Sequence, residues 1–225
     1  MSETSISLDD LLSKAQALAG LTLGALAQRF DCGLPQHLLQ HKGRIGHILE
    51  LALGAQAGSL AAPDFPALGV ELKTIPVNQM GKPYESTYIT VVPLPPKLGE
   101  IFEQSLLYRK LAKVLWIPIL AEPTLSIAER VIGWPYLWQP SAADWAVLSR
   151  DWHEFQDRIV HGHLASIDGR LGDYLQIRPK AAHARSLTTH IDADGSLGAT
   201  LPRGYYLRAK VTEAILSRSR YTNMI

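Results

Sequence analysis

The hydrophobic periodicity of this chain changes at residues 61–69, AAPDFPALG, a segment with two prolines and a glycine. Before it, apolar residues recur every three or four positions, which predicts helices. These run from Leu8 to Leu18, from Leu21 to Phe30 and from Lys42 to Leu53. After it, β-branched residues alternate with others, which predicts strands at Gly69 to Val77 and Ser86 to Val92. A chain that combines both periods folds as a mixed α/β protein.

Helical and strand patterns continue to alternate through the rest of the chain. The predicted elements are a helix from Glu100 to Lys113, strands at Val114 to Leu120 and Ile127 to Ile132, a helix from the N-cap Ser141 to Val160, a short helix at Gly169 to Gln176, a turn at Asp192 to Gly198, a strand at Tyr205 to Arg208 and a helix from Thr212. No internal repeat or linker interrupts this order. We therefore expect residues 1–225 to form a single domain, with two lobes at most.

Composition restricts the class of protein and its compartment. With 47% hydrophobic residues in 225, the chain can bury a sizeable core. The single cysteine, Cys32, excludes a disulfide framework and any cysteine-rich metal site. Neither a signal-peptide pattern nor an uninterrupted apolar run of membrane-spanning length is present. We expect a cytoplasmic protein that is not inserted in a membrane.

The charge is distributed unevenly, although the net charge is only +1. Residues 1–65 contain four basic and six acidic residues, whereas residues 170–225 contain nine basic and four acidic ones. A basic C-terminal region can face nucleic-acid phosphates. On charge alone, an ordinary solvated basic surface is the favoured explanation.

The segment Asp64-FPALGV-Glu71-L-Lys73 contains the residue types of a phosphodiesterase centre. Glu71 and Lys73 are two positions apart on a predicted strand, so their side chains share a face. Asp64 precedes the strand by a turn that can fold back over its start. Two converging carboxylates suit Mg²⁺, and an adjacent ammonium can orient an attacking water. Glu50, on the helix before the segment, is a candidate third acid.

This pattern has an ordinary structural alternative. Glu and Lys often alternate on the solvent-facing side of a sheet, where they form surface ion pairs. The following strand, Ser86 to Val92, favours a catalytic interpretation because it can pair with the first in a small antiparallel sheet.

Six segments resemble the MutH-type methyl-directed mismatch-repair endonucleases, a branch of the PD-(D/E)xK nucleases. They are KGRIGHILELALGA, PDFPALGVELKTIPV, YESTYITVVPL, LLYRKLAKVLWIPI, LGDYLQIRPKAA and LPRGYYLRA. The resemblance implies a restriction-endonuclease-like α/β fold: a mixed sheet flanked by helices, with two lobes forming a DNA cleft. The N-terminal lobe would carry the active-site motif and the C-terminal basic lobe would read DNA.

The resemblance also implies an activity. It predicts a monomer that uses Mg²⁺ to nick the unmethylated strand of hemimethylated GATC sites in double-stranded DNA. Activation would come from MutL, bound to MutS at a mismatch.

The resemblance assigns roles to individual residues. Asp64 and Glu71 correspond to the metal-binding acids, Lys73 to the catalytic lysine and Glu50 to the helical acid that completes the centre. The proposed DNA contacts are Lys110 near the scissile phosphate, Arg178 and Lys180 on a loop that reads GATC in the major groove, Tyr206 near the adenine N6 position, and Tyr88 at an aromatic position near the DNA.

Two other functions compete with this one. The first is a GATC-specific restriction-type endonuclease that cuts both strands, which would need two catalytic centres where this chain has one motif. The second is a non-catalytic DNA-binding module, which has no reason to place two acids next to phosphate.

Overall fold

The computed structural model describes residues 6–35, 43–58, 60–180 and 185–218. Within them the chain forms a mixed α/β structure in which several sheets are flanked by helices. The helices are α1 (Leu8–Leu18), α2 (Leu23–Arg29), α3 (Arg44–Leu53), α4 (Leu106–Leu111), α5 (Ala142–Val160) and α6 (Ala209–Ser217). The strands are β1 (Glu71–Val77), β2 (Thr87–Val91), β3 (Val114–Leu120), β4 (Val131–Ile132), β5 (Tyr136–Trp138), β6 (Leu175–Pro179), β7 (Thr188–Ile191), β8 (Leu197–Thr200) and β9 (Arg203–Leu207).

The described residues divide into two compact units. The first contains those up to Glu85, Ala112–Gln139 and those from Thr212 onward, and the second contains Ser86–Leu111 and Pro140–Val211. The predicted assignment of the active-site motif and DNA reading to two lobes stays a prediction. None of the helices in the described ranges is long and apolar enough to span a membrane.

Capping contacts determine where α1 begins and where α3 ends in the first unit. Ser7 Oγ accepts a hydrogen bond from the Asp10 N–H at 3.1 Å, and the Asp10 carboxylate accepts one from the Ser7 N–H at 3.3 Å. This capping box satisfies amide groups that the first turn of α1 cannot pair. At the end of α3, Gly54 adopts φ +80°, the left-handed conformation that glycine reaches without strain.

The sheet of the first unit corrects one prediction. β1 pairs with β3 in parallel, from Glu71 opposite Val114 to Val77 opposite Leu120. The strand after β1 in sequence, β2, belongs to a sheet of the second unit, so the predicted antiparallel pairing of these two strands is wrong. β3 also pairs antiparallel with β4 and β5, and among the described strands β1 lies at one end of the sheet.

The second unit contains a three-stranded antiparallel sheet in the order β2-β9-β6. Tyr206 of β9 lies opposite Tyr88 on one side and Gln176 on the other. The neighbouring residue Tyr205 points to the opposite face, where its ring lies 6.3 Å from that of Phe155 on α5. This face is therefore buried beneath the helix. The predicted turn at Asp192 to Gly198 is confirmed as the turn of the β7-β8 hairpin.

Two predicted helices differ in the structure. The helix predicted from Glu100 to Lys113 is interrupted at Ser105, which is extended at φ −66° and ψ 153° and whose Oγ accepts from the Tyr108 N–H at 3.1 Å. The predicted helix from Gly169 to Gln176 is instead a loop leading into β6. The Asp151 carboxylate, only 1% exposed, accepts from three successive amides at the start of β6, which fixes this segment in an extended conformation.

Strand Ile127 to Ile132 is also shorter than predicted, because only Val131–Ile132 pairs with β3. The tryptophans are chiefly packing residues: Trp116, Trp138 and Trp152 are 0%, 2% and 3% exposed. Trp145 stacks on Tyr108, with ring centroids 4.3 Å apart.

Candidate active site and a basic sheet face

The loop before β1 turns back on itself, as its proline and glycine predict. Phe65 and Val70 exchange two backbone hydrogen bonds of 2.9 and 3.2 Å around a 3₁₀ turn at Pro66–Leu68. Gly69 closes this turn at φ +62°. The chain therefore returns to the start of β1 with Asp64 beside the strand.

Asp64 is bonded to β1 itself. Its Oδ2 accepts a hydrogen bond from the Leu72 N–H at 2.8 Å. Its carbonyl oxygen accepts from the amides of Gln56 and Ala57 at 3.0 and 3.2 Å, which ties the loop to the segment after α3. The carboxylate thus lies against the backbone between Glu71 and Lys73.

Glu71 and Lys73 form an ion pair on the face of β1 that they share. Lys73 Nζ lies 2.6 Å from Glu71 Oε1, and the Glu71 side chain is 1% exposed and that of Lys73 is 16% exposed. A solvent-facing surface pair is therefore ruled out, because the carboxylate is buried. Burying a charge costs several kcal/mol unless it is paired, and the ion pair with Lys73 offsets part of this cost.

Glu50 lies on α3 with its side chain 38% exposed, 3.8 Å from His47 Nδ1. A Cβ placed on Gly46 would be 3.9 Å from both Glu50 Oε1 and Thr74 Oγ1. The side chains of Glu50 on α3 and Thr74 on β1 therefore both lie next to Gly46. Three of the predicted catalytic residues are linked by direct hydrogen bonds to β1 or to each other, and the fourth borders the strand.

The carboxylates at this site fit Mg²⁺ by their chemistry. Mg²⁺ prefers oxygen ligands and is usually held by one or two protein carboxylates, with water and phosphate completing its coordination. Asp64 and Glu71 supply two such groups. Within the described ranges, no group of three or more His, Cys, Asp or Glu side chains is close enough to hold a metal by itself.

Four of the predicted DNA contacts come together in the second unit. Tyr88, Arg178, Lys180 and Tyr206 form what we call the basic sheet face. The two tyrosine rings lie edge to face with centroids 5.4 Å apart. Arg178 Cζ lies 5.8 Å from the centroid of the Tyr206 ring, and Lys180 Nζ lies 4.4 Å from that of Tyr88. Each cation is thus held over an aromatic ring.

The predicted reading loop needs one correction. Arg178 and Pro179 are the last two residues of β6, opposite Gly204 and Arg203 of β9, and only Lys180 lies beyond the strand. The side chains are therefore placed by sheet register. Lys110, the remaining predicted contact, lies partly buried on α4 of the second unit.

Several further polar groups, which no sequence motif indicates, lie beside this face. Arg178 shares a cavity of about 690 Å³ with Ser86, Arg203, Arg208 and Lys210. Arg208 donates hydrogen bonds to the carbonyl oxygens of Gly169, Leu171 and Gly172, so it holds the loop before β6. The pairing of β2 and β6 with β9 brings Ser86 and Arg178 beside residues 203–210, which no spacing in the sequence reveals.

Comparison with known proteins identifies the family. A family model described as "DNA mismatch repair enzyme MutH" matches residues 53–151. The chain is 48% identical, over 210 residues, to the DNA mismatch repair protein MutH of Escherichia coli O6:K15:H31 (strain 536 / UPEC), of strain HS and of strain K12. In each case the match covers 93% of this chain and 92% of the relative.

The chain belongs to the MutH family of DNA mismatch repair enzymes. The predicted family resemblance and the restriction-endonuclease-like fold class are thereby confirmed. As a MutH-family member, the protein is an endonuclease of DNA mismatch repair. Asp64, Glu71 and Lys73 all lie within the residues matched by the MutH family model.

Proposed function

We propose that this protein is a Mg²⁺-dependent endonuclease that nicks the unmethylated strand of hemimethylated GATC sites during mismatch repair. The observation that carries the proposal is the group formed by Asp64, Glu71 and Lys73. Glu71 is buried and lies 2.6 Å from the Lys73 ammonium, and the Asp64 carboxylate accepts a hydrogen bond from the Leu72 amide between them. Burying these charged groups together costs free energy that an ordinary surface ion pair would not require. Such charged groups cluster where chemistry requires them.

Each residue has a distinct role in this proposal. Asp64 and Glu71 would hold Mg²⁺, with Glu50 as the supporting acid. Bound there, the metal would stabilise charge on the scissile phosphate and lower the pKa of a coordinated water. Lys73 would position the attacking water or the phosphate through its ammonium, and Lys110 would contact the phosphate. Arg178 and Lys180 would read the base edges, and Tyr88 and Tyr206 would contact the site near the methylated adenine.

The partners and setting follow from the same proposal. Double-stranded DNA containing GATC is the substrate, and MutL, itself recruited by MutS, is the activator. We propose a cytoplasmic monomer, because a single motif supplies one catalytic centre and one nick.

A plasmid nicking assay tests this function. Supercoiled DNA with unmethylated, hemimethylated or fully methylated GATC sites is incubated with the protein, with and without Mg²⁺ and MutL. We expect Mg²⁺-dependent nicks in the unmethylated strand, faster with MutL, and none without the metal. Lys73→Ala should abolish them, while Lys14→Ala, an exposed lysine on α1, should not.

The alternatives give different products. A restriction-type enzyme would yield linear DNA cut in both strands at early times, and a binding module would bind GATC without any product. Nicking that is independent of methylation or of the GATC sequence would contradict the proposed specificity but not the endonuclease activity.

A further inference from the structure

The guanidinium of Arg178 is held at two points. Its Nη1 donates a hydrogen bond to Ser86 Oγ at 3.0 Å, and its Cζ lies 5.8 Å from the centroid of the Tyr206 ring. Arg178 is exposed, and a long exposed side chain otherwise samples many rotamers. One contact comes from the residue just before β2 and the other from β9, and together they restrict both the position and the plane of this group.

The contact with Ser86 leaves Arg178 able to bind DNA. A guanidinium carries five N–H donors, and Ser86 accepts only one of them. Bidentate recognition of guanine O6 and N7 needs two donors in a defined plane. Ser86 therefore occupies one donor while fixing the orientation that the others need.

Lys180 is held in a parallel way on the neighbouring ring. Its backbone N–H donates to the Pro202 carbonyl oxygen at 2.7 Å, and its Nζ lies 4.4 Å from the centroid of the Tyr88 ring. The position of the ammonium thus depends on where the Tyr88 ring lies.

The Tyr88 ring occupies the space above Gly204. A Cβ on Gly204 would lie 2.8 Å from Cε2 of Tyr88 and 3.2 Å from Cε2 of Tyr206. Real Cβ contacts are essentially never as short as the first, so a larger residue would push the Tyr88 ring away. Gly204 also lies opposite Arg178 in the β6-β9 register. Its missing side chain is therefore what allows both rings and both cations to share one face.

We propose that Ser86 and Gly204 are positioning residues for DNA sequence recognition. Ser86 orients the guanidinium of Arg178, and Gly204 admits the Tyr88 ring that holds the ammonium of Lys180. This inference rests on the proposed function, in which Arg178 and Lys180 contact base edges. A cation that only contacts phosphate needs no such placement, because its attraction is independent of sequence and tolerant of geometry.

The test compares affinities for two duplexes that differ only in the GATC site and a scrambled version of it. Dissociation constants are measured without Mg²⁺ for the wild type, Ser86→Ala, Ser86→Thr and Gly204→Ala. We expect Ser86→Ala and Gly204→Ala each to reduce the ratio of affinities for GATC and scrambled DNA about tenfold, which is the effect of losing one base contact. Their affinity for the scrambled duplex should stay within about twofold of wild type. Ser86→Thr keeps the hydroxyl and should retain the preference.

Control variants separate positioning from stability. Ser196→Ala and Gly33→Ala change exposed residues that make none of the contacts described for the basic sheet face, and they should leave the preference for GATC intact. If Gly204→Ala does not fold, the comparison of Ser86→Ala with Ser86→Thr decides the test, because Ser86 itself is not among the proposed DNA contacts. Far-UV circular dichroism verifies the fold of each variant.

The outcomes distinguish this inference from the proposed function. A wild-type protein without GATC preference overturns the proposed function. If the wild type prefers GATC and both Ser86→Ala and Gly204→Ala keep the same preference, only the positioning role is overturned. Equal weakening on both duplexes also overturns it, because that is the behaviour of a phosphate contact.

Discussion

Asp64 Oδ2 accepts a hydrogen bond from the Leu72 N–H at 2.8 Å, on the edge of β1 that faces away from β3. The preceding amide, that of Glu71, points the other way and donates to the Lys113 carbonyl oxygen at 2.9 Å. Successive amides of a strand alternate in direction, so the Leu72 N–H points away from β3 and donates to Asp64 instead of to a strand. Asp64 therefore combines a structural bond with its proposed role at the metal.

Substitution of Asp64 separates these two roles. Asp64→Asn keeps an oxygen that can accept from Leu72 but removes the charge. We expect its free energy of unfolding to stay within about 1 kcal/mol of wild type, while nicking falls by roughly 10³-fold or more. Asp64→Ala should lose nicking equally and also cost about 1–3 kcal/mol in stability. Urea unfolding and the plasmid assay measure the two effects, and an Asp64→Asn protein that nicks within about tenfold of wild type would exclude a metal-binding role.

The buried ion pair makes a second prediction, on stability. Lys73→Met removes the ammonium that is paired with the buried Glu71 carboxylate, so we expect a loss of about 3–5 kcal/mol in the free energy of unfolding. Glu71→Gln removes the buried negative charge. The double variant that combines Glu71→Gln with Lys73→Met should therefore be more stable than Lys73→Met alone. A double-mutant cycle in urea measures the coupling. Additive losses would mean that the two charges do not stabilise each other, and all three variants should be inactive in nicking.

The site motif could be predicted from the sequence because its geometry is local. Pro66 and Gly69 determine the turn, and strand alternation places Glu71 and Lys73 on one face. Burial of that face could not be predicted, since it depends on the parallel pairing of β1 with β3 across 36 intervening residues. The same limit applies to β2, whose pairing with β9 cannot be read from the sequence between them.

The segment before β6 shows the same limit more clearly. Its residues predicted a short helix, but Asp151, more than 20 residues earlier in the chain, accepts hydrogen bonds from the amides of Asp173, Tyr174 and Leu175 at 2.8, 2.7 and 2.9 Å. A tertiary contact of this strength overrides a weak local preference. Nothing in the sequence distinguishes Asp151 from an ordinary helix carboxylate.

Asp151 therefore anchors the strand that carries Arg178. Asp151→Ala leaves three amides at the start of β6 without their acceptor, which we expect to cost about 3 kcal/mol or more. Hydrogen exchange should accelerate at Tyr174 and Leu175. Asp157→Ala, on the same helix with a side chain 73% exposed, is the matched control and should change stability by less than about 0.5 kcal/mol. Equal stability of the two variants would show that the Asp151 bonds are dispensable.

The last prediction concerns strand choice and depends on the Tyr206 ring. The ring is half-buried and contacts both the Tyr88 ring and the Arg178 guanidinium, so it can act through its shape or through its hydroxyl. If the ring packs against adenine N6, an added methyl group costs about 1–3 kcal/mol through overpacking, which biases nicking roughly tenfold or more toward the unmethylated strand. Tyr206→Phe keeps the ring and should keep the bias toward the unmethylated strand. Tyr206→Ser should reduce this bias, and it also removes the ring that contacts the Arg178 guanidinium. Nicking rates on hemimethylated and fully methylated duplexes measure the bias. If the ratio of nicking rates on unmethylated and methylated strands is unchanged in Tyr206→Ser, the ring has only a packing role. If Tyr206→Phe loses the bias, the hydroxyl rather than the ring is responsible for it.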